Sequence, residues 1–498
     1  MLINLEHYYS KSKFVSFKGC NKRLWLDYFK PEVKKETTNE TQLINGNIVG
    51  DLAMGLFGDY YLAETFDNNL NIQAENTQNA ILREERVICE AAFLYQNHYC
   101  AVDILVKDDF GYSIYEVKST THLDDRYYYD LAYQYYVLKN WGLEINSINL
   151  VHINSDYVLR GQFKLDEYFK IVNLTDEVKT KYDEVSNLLI KAEEILNSNK
   201  EIPSVICSEC MKFGGCGFLD YCKKYNNIPN ENSVLDLYNN RSKVKQINSG
   251  IITFDDLTKT NFKLSEIQKR QIDFALNNKD EYYVDKKSIK KFLDQLVFPL
   301  YFFDFEAYQA VVPKYEGTKP YQQIPFQYSL HIMDRNGNII HKEFLADGFN
   351  NPMNDISKKM IEDLGECGSI IAYNDSFEIG RIKELINATR YKEELSKMIP
   401  RFVDLADIFQ KGYCYNRRMG GSFSIKSVLP ALFPNNSELN YKNLEGVHKG
   451  DEASNAYIML ATMSKEEYDQ TRKNLLAYCK LDTLAMVRIY QKLLELIQ

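Results

Sequence analysis

The stretch "FPLYFFDFEAYQ", residues 298–309, is apolar enough to form a buried β-strand, yet it carries Asp304 and Glu306 near its end. Side chains two apart on a strand project to the same face, so both acids are aimed at one side of a sheet. Around this strand the pattern continues as strands over 326–333 and 339–345, a helix over 352–364, a strand over 369–373 and a helix over 376–387. A helix over 465–496 closes the chain. That alternation predicts an α/β layer domain from residue 296 onward.

Two further segments carry acids toward the same place. "SIIAYNDSFEIGRI" reads as a strand turning into a helix whose first turn carries Glu378, and "LLAYCKLDTLAMVRIYQKL" reads as a helix with Tyr478 and Asp482 at i and i+4 on one face. Acids delivered by three elements to one sheet end repel unless cations neutralise them. A pair of divalent ions ~3.5–4 Å apart, as in phosphodiesterases, resolves that repulsion. In this order, "DFE", "YNDSFE" and "YCKLD" resemble the three motifs of the DnaQ-like 3′–5′ exonucleases, whose fold is RNase H-like. The resemblance implies that Asp304, Glu306, Glu378 and Asp482 bind metal and that Tyr478 orients the attacking water. Glu378 stands where that family has an aspartate. Asp404, in "FVDLADIF", reads as a strand-end residue held as a reserve ligand.

At 498 residues the chain exceeds a single core, and its apolar fraction of 45% is ordinary for globular proteins. No window offers ~20 uninterrupted apolar residues for a membrane span, and "MLINLEHYYSKSKF" lacks the marks of a secretion signal. The expectation is a cytoplasmic protein without membrane partners. A net charge of −9 argues against wrapping in nucleic acid by bulk electrostatics, though not against a nuclease.

The N-terminal part, residues 1–225, holds a second constellation. "AVDILVKDDFGYSIYEVKS" places Asp103 on one strand of a hairpin and Glu116 and Lys118 on one face of the next. Two carboxylates can hold Mg²⁺ while a lysine steadies the developing charge. With the helix "DLAYQYYVL", these segments resemble the RecB-like PD-(D/E)XK nucleases. The resemblance implies an active site of Asp103, Glu116, Lys118 and Gln134, with Glu90 as an added ligand. The early histidine that many relatives carry is absent from "GNIVGDLAMG".

Of the ten cysteines, Cys207, Cys210, Cys216 and Cys222 fall within one short stretch, which calls for a metal explanation. Four thiolates suit zinc, and C-x-x-C also suits iron–sulfur chemistry. With Cys20 in "FKGCNKRLWLDYF", the set resembles the iron–sulfur nucleases of the CRISPR-associated and AddB types. The resemblance implies a [4Fe–4S] cluster on Cys20, Cys210, Cys216 and Cys222, with Cys207 spare and zinc as the alternative.

The expected organisation is therefore a nuclease domain over 1–225, a helical connector over 226–295 and an exonuclease domain over 296–498. The expected activity is Mg²⁺- or Mn²⁺-dependent hydrolysis of DNA ends, with RNA as an alternative substrate. A nucleic-acid-binding scaffold with one or both sites inactive is the competing reading. The histidines, His7 and His152 among them, form no metal-binding pattern, and the tyrosine-rich run "RYYYDLAYQYY" reads mainly as core.

Overall fold

A computed structural model describes residues 9–37, 40–65, 69–198, 200–211, 215–279 and 281–498, so His7 lies outside the described residues. The chain is mixed α/β and divides into two compact units, Met1–Ile228 and Pro229–Gln498. Among the described residues, no helix is long and apolar enough to cross a membrane.

The first unit is built on a seven-stranded sheet: β1 (Tyr9–Ser10), β2 (Tyr61–Leu62), β3 (Val87–Tyr95), β4 (His98–Asp108), β5 (Gly111–Lys118), β6 (Ile145–Ile153) and β7 (Phe169–Asn173). The order is β2-β3-β4-β5-β6-β7, with β1 pairing onto β4. The apolar segment "AFLYQNHYCAVDILVKD" forms parts of two strands, β3 and β4. It reverses at Gln96–Asn97, and Gln96 takes a positive φ of 50° there without a glycine to mark the turn. Helix α1 (Lys11–Gly19) and helix α2 (Asp125–Trp141) lie in the same unit. The tyrosines of α2 enter the core: Tyr133 is fully buried and stacks on Phe14 of α1 at 5.1 Å. His152 is also buried, with Nδ1 3.0 Å from the Ile153 carbonyl oxygen.

The second unit contains a five-stranded sheet of β8 (Leu300–Gln309), β9 (Gln323–Met333), β10 (Ile339–Leu345), β11 (Ser369–Ala372) and β12 (Phe402–Asp404). Its order is β10-β9-β8-β11-β12. The first three strands are antiparallel, while β11 runs parallel to β8 and to β12. Of the connector expected over 226–295, residues 229–295 fall within this unit. Their helix Glu266–Leu276 opens on a reciprocal capping box between Ser265 and Gln268.

Helix α3 (Ser376–Ala388), helix α4 (Ile425–Leu432) and the long helix α5 (Lys465–Ile497) complete the site scaffold. A second capping box, Ser464 with Glu467, starts α5. This helix crosses the polar face of β8 and β9. Gln327 donates to the Leu475 carbonyl at 2.8 Å, and Thr483 Oγ1 lies 2.7 Å from Ser329 Oγ and 2.8 Å from His331 Nδ1. Those contacts lock the α5 register so that its Tyr478–Asp482 turn meets the acids of β8. Gly421 is required by packing. A Cβ on Gly421 would overlap the Asp236 carbonyl oxygen.

Candidate metal centres and cysteine cluster

In the second unit, β8 brings Asp304 and Glu306 to the same sheet face opposite Ser329 and Gln327 of β9. Glu306, Glu378, Tyr478 and Asp482 are all buried, at 8%, 3%, 4% and 8% exposure. Ligand atoms of Asp304, Glu306 and Cys479 lie within 4.8 Å of one another. Glu378 reaches the same region from the first turn of α3, where the Phe305 backbone amide hydrogen-bonds its carboxylate. Its Oε2 has no hydrogen-bond partner among the described residues. An acceptor buried without a donor is costly.

The electrostatics agree. Burial, then the charges of Asp482, Glu378 and Glu306, push the Asp304 carboxyl well above its ordinary range. Burial and Asp482 do the same to Glu306. Burial raises Glu378 to about 8, and raises Asp482 to about 6 against the opposing pull of Tyr441 and Lys426. Each group therefore holds protons in the folded state that the unfolded chain gives up near pH ~4. More protons bound to the folded state means stability falls as pH rises. Metal-free protein is expected to lose stability between about pH 5 and pH 8, followed by thermal melts in EDTA, and saturating Mn²⁺ is expected to reverse the trend.

Tyr478 is kept protonated by burial and by the neighbouring carboxylates. Two residues that sequence reading missed complete the site. Tyr441 donates to Asp482 Oδ1 at 2.6 Å, and Lys426 Nζ stands 3.5 Å from the Tyr478 hydroxyl. Lys426 comes from the first turn of α4 and Tyr441 from a short 3-10 turn, 52 and 41 residues away from their partners, and no local periodicity announces either. Asp404 closes the end of β12: its Oδ1 accepts the backbone N–H groups of Asn374 and Ala406, both at 2.9 Å.

In the first unit, Asp103, Glu116, Lys118 and Gln134 converge as expected from position. Asp103 Oδ2 accepts from the Val117 amide at 2.6 Å, and Gln134 Nε2 donates to Glu116 Oε2 at 2.7 Å. Lys118 Nζ bridges Glu116 Oε1 at 2.5 Å and Asp130 Oδ2 at 2.7 Å. Glu90 sits on β3 with a positive φ of 53°, an uncommon conformation for a non-glycine residue inside a strand. Burial and the nearby Asp103 raise its carboxyl to about 8.

Lys11 and Asp130 are the groups that the sequence did not single out here. Lys11 Nζ contacts the same Glu116 Oε1 at 2.7 Å and lies 3.7 Å from Asp130. Burial opposes the Glu116 charge, but the two ammonium groups outweigh it and hold this carboxyl at about 2. Asp103, lacking such close cations, is raised by burial and by Glu116 to about 6. Asp130 lies one helical turn before Gln134, so the i, i+4 spacing on α2 was its available signal.

The cysteines gather at another place in the first unit. Cys20 lies between α1 and the helix Asn21–Phe29, and burial and the nearby Cys207 raise its thiol. Cys207 Sγ is 3.6 Å from Cys210 Sγ. Cys222 is raised by burial and by its neighbours Cys216 and Cys207. Cys207, left spare by sequence reading, is thus in electrostatic reach of Cys20, Cys210 and Cys222. The buried Lys22 ties the N-terminal helices to this region through Glu201 Oε1 at 2.7 Å.

The family model described as "Domain of unknown function (DUF2779)" matches residues 301–424, which include Asp304, Glu306 and Glu378 but end before Tyr478 and Asp482. The chain is 30% identical over 245 residues to "Uncharacterized protein MG366" of Mycoplasma genitalium, covering 45% of this chain and 35% of that protein. It is 29% identical over 208 residues to "Uncharacterized protein UU173" of Ureaplasma parvum serovar 3, covering 38% of this chain and 30% of that protein. The chain therefore spans about a third of the length of the relatives it matches.

Proposed function

We propose that this protein is a divalent-metal-dependent nuclease with two hydrolytic centres, one in each unit, acting on DNA ends. The observation that carries the reading is the group of four acids, Asp304, Glu306, Glu378 and Asp482, brought together from three elements, with Glu378 Oε2 unpartnered. The strand order of the second sheet supports an RNase H-like, DnaQ-type domain. Numbered along the chain from β8, the order is 3-2-1-4-5, with three antiparallel strands followed by two parallel ones. In the first unit, the hairpin and helix that carry Asp103, Glu116, Lys118 and Gln134 support a PD-(D/E)XK domain.

Bound Mg²⁺ or Mn²⁺ would supply charge neutralisation and an activated water. The chain's own groups do the rest. Tyr478 remains a neutral phenol, so it orients water by hydrogen bonding and does not act as a base. Lys426 places an ammonium beside it to meet a phosphate. In the first unit, Gln134 fixes one oxygen of Glu116, and Lys118 presents its ammonium where negative charge develops on phosphate.

The cysteine group supports a [4Fe–4S] cluster closing the first unit, since Cys20 and the 207–222 segment come from its two ends. Anaerobically purified protein is expected to be brown. Cys20→Ser is expected to bleach it and Cys367→Ser to leave it coloured, read by visible absorption and iron content. A colourless, zinc-loaded wild type would transfer the site to zinc.

Substrate and polarity are tested with single-stranded DNA and RNA oligonucleotides labelled at either end, in Mn²⁺ and in EDTA. Metal-dependent shortening of DNA is the expected result. Shortening of RNA alone would make the protein a ribonuclease, and no shortening of either would overturn the reading.

A further inference from the structure

Beside the acids of the second unit lies a cavity of about 730 Å³, within the ~300–1,000 Å³ typical of small-ligand sites. It is framed by α4 and by the turns that follow it. One side is apolar, formed by Leu429, Pro430 and Phe433. The other side carries Lys426, Lys442, His448 and Lys449, and among the described residues no acidic side chain lines it, although the whole chain has a net charge of −9. Lys449 is engaged outside the cavity lining, at 3.4 Å from Glu452 and 3.7 Å from Asp451. Lys426 donates to the His448 carbonyl at 3.0 Å, which leaves its ammonium protons for further partners.

Tyr441 joins this cavity to the carboxylates. It lines the cavity, while its hydroxyl holds Asp482 at 2.6 Å. Lys426 is the second shared wall, lining the cavity and lying 3.5 Å from the Tyr478 hydroxyl. A ligand bound here therefore needs an anionic end near Lys426 and Lys442, next to the acids, and a flat apolar body that covers Pro430 and Phe433. Inorganic phosphate meets the first demand and fails the second. A nucleoside meets the second and fails the first.

We infer that this cavity binds a nucleoside 5′-monophosphate unit, its phosphate against Lys426 and Lys442 and its base against Pro430 and Phe433. The inference rests on the phosphodiesterase reading above and deepens it, because it says where the nucleotide beside the scissile bond, or the released product, is held. Lysines suit a phosphate as point charges on flexible stems, and a base gains from stacking on an apolar or aromatic face.

The test is calorimetric titration of the full-length protein in EDTA with adenosine 5′-monophosphate, its 2′-deoxy counterpart, adenosine and inorganic phosphate. Either monophosphate is expected to bind at least tenfold more tightly than adenosine or phosphate. The exposed Lys442 is expected to be replaceable without loss of fold, so Lys442→Glu should weaken the monophosphate tenfold or more at unchanged Tm. Lys426→Gln should do the same. Phosphate binding as tightly as the nucleotides, or neither variant changing affinity, overturns the assignment. Nucleotide binding in a protein that hydrolyses nothing supports the cavity and counts against the nuclease reading. Hydrolysis without nucleotide binding sinks the cavity alone.

Discussion

Asp304→Asn is expected to abolish hydrolysis by the second unit while making the metal-free protein more stable at pH 8. Asp304 is the group most exposed to the other charges, facing Asp482, Glu378 and Glu306 at once. An amide of the same shape removes one member of this repelling set, which is expected to add roughly 1–2 kcal/mol, or ~2–8 °C in Tm. The same change removes a metal-binding oxygen, so the rate should drop by a factor on the order of 10³. Gain of stability with loss of function marks acids retained for chemistry. Thermal melts in EDTA and a rate assay in Mn²⁺ measure the two effects. A destabilised Asp304→Asn protein would mean that the carboxylate is held by contacts of its own and not by a cation.

Glu116→Gln is expected to do the opposite to stability. Here one carboxylate oxygen receives both Lys11 at 2.7 Å and Lys118 at 2.5 Å, and the acid is 1% exposed. Neutralising it leaves two buried-side ammonium groups sharing Asp130, at a cost of roughly 3 kcal/mol or more. Because the folded carboxyl is depressed to about 2, its contribution is present above pH ~4 and is lost as pH falls toward ~2. The double variant Glu116→Gln/Lys11→Met should recover much of the loss, since it removes the uncompensated charge with its partner. Denaturant melts of the single and double variants read this coupling. Activity of the first unit stays absent in both.

Most strands and helices could be read from the chain because each has a local cause. Alternation placed β8 with its two acids, the i, i+4 pair placed Tyr478 and Asp482 on one turn of α5, and the Glu-x-Lys spacing placed two groups on β5. Features set by distant contacts could not be read this way. Lys11 meets Glu116 across 105 residues and Lys426 meets Tyr478 across 52, and neither lies in a pattern that points to its partner. The helical segment after β7 breaks into two, Thr175–Lys179 and Tyr182–Asn197, where Thr180 turns its hydroxyl back onto the Glu177 carbonyl at 2.7 Å. The resemblance to iron–sulfur nucleases also left Cys207 out of a set of four. In the folded chain Cys207 Sγ lies 3.6 Å from Cys210 Sγ.

The most direct test compares wild type, Asp304→Asn and Lys118→Met on one single-stranded DNA labelled at both ends with different fluorophores, in Mn²⁺. The account predicts that Asp304→Asn removes one pattern of shortened products, that Lys118→Met removes the other, and that the double variant leaves the strand intact. Unchanged products in both single variants would contradict it, whatever metal the protein binds.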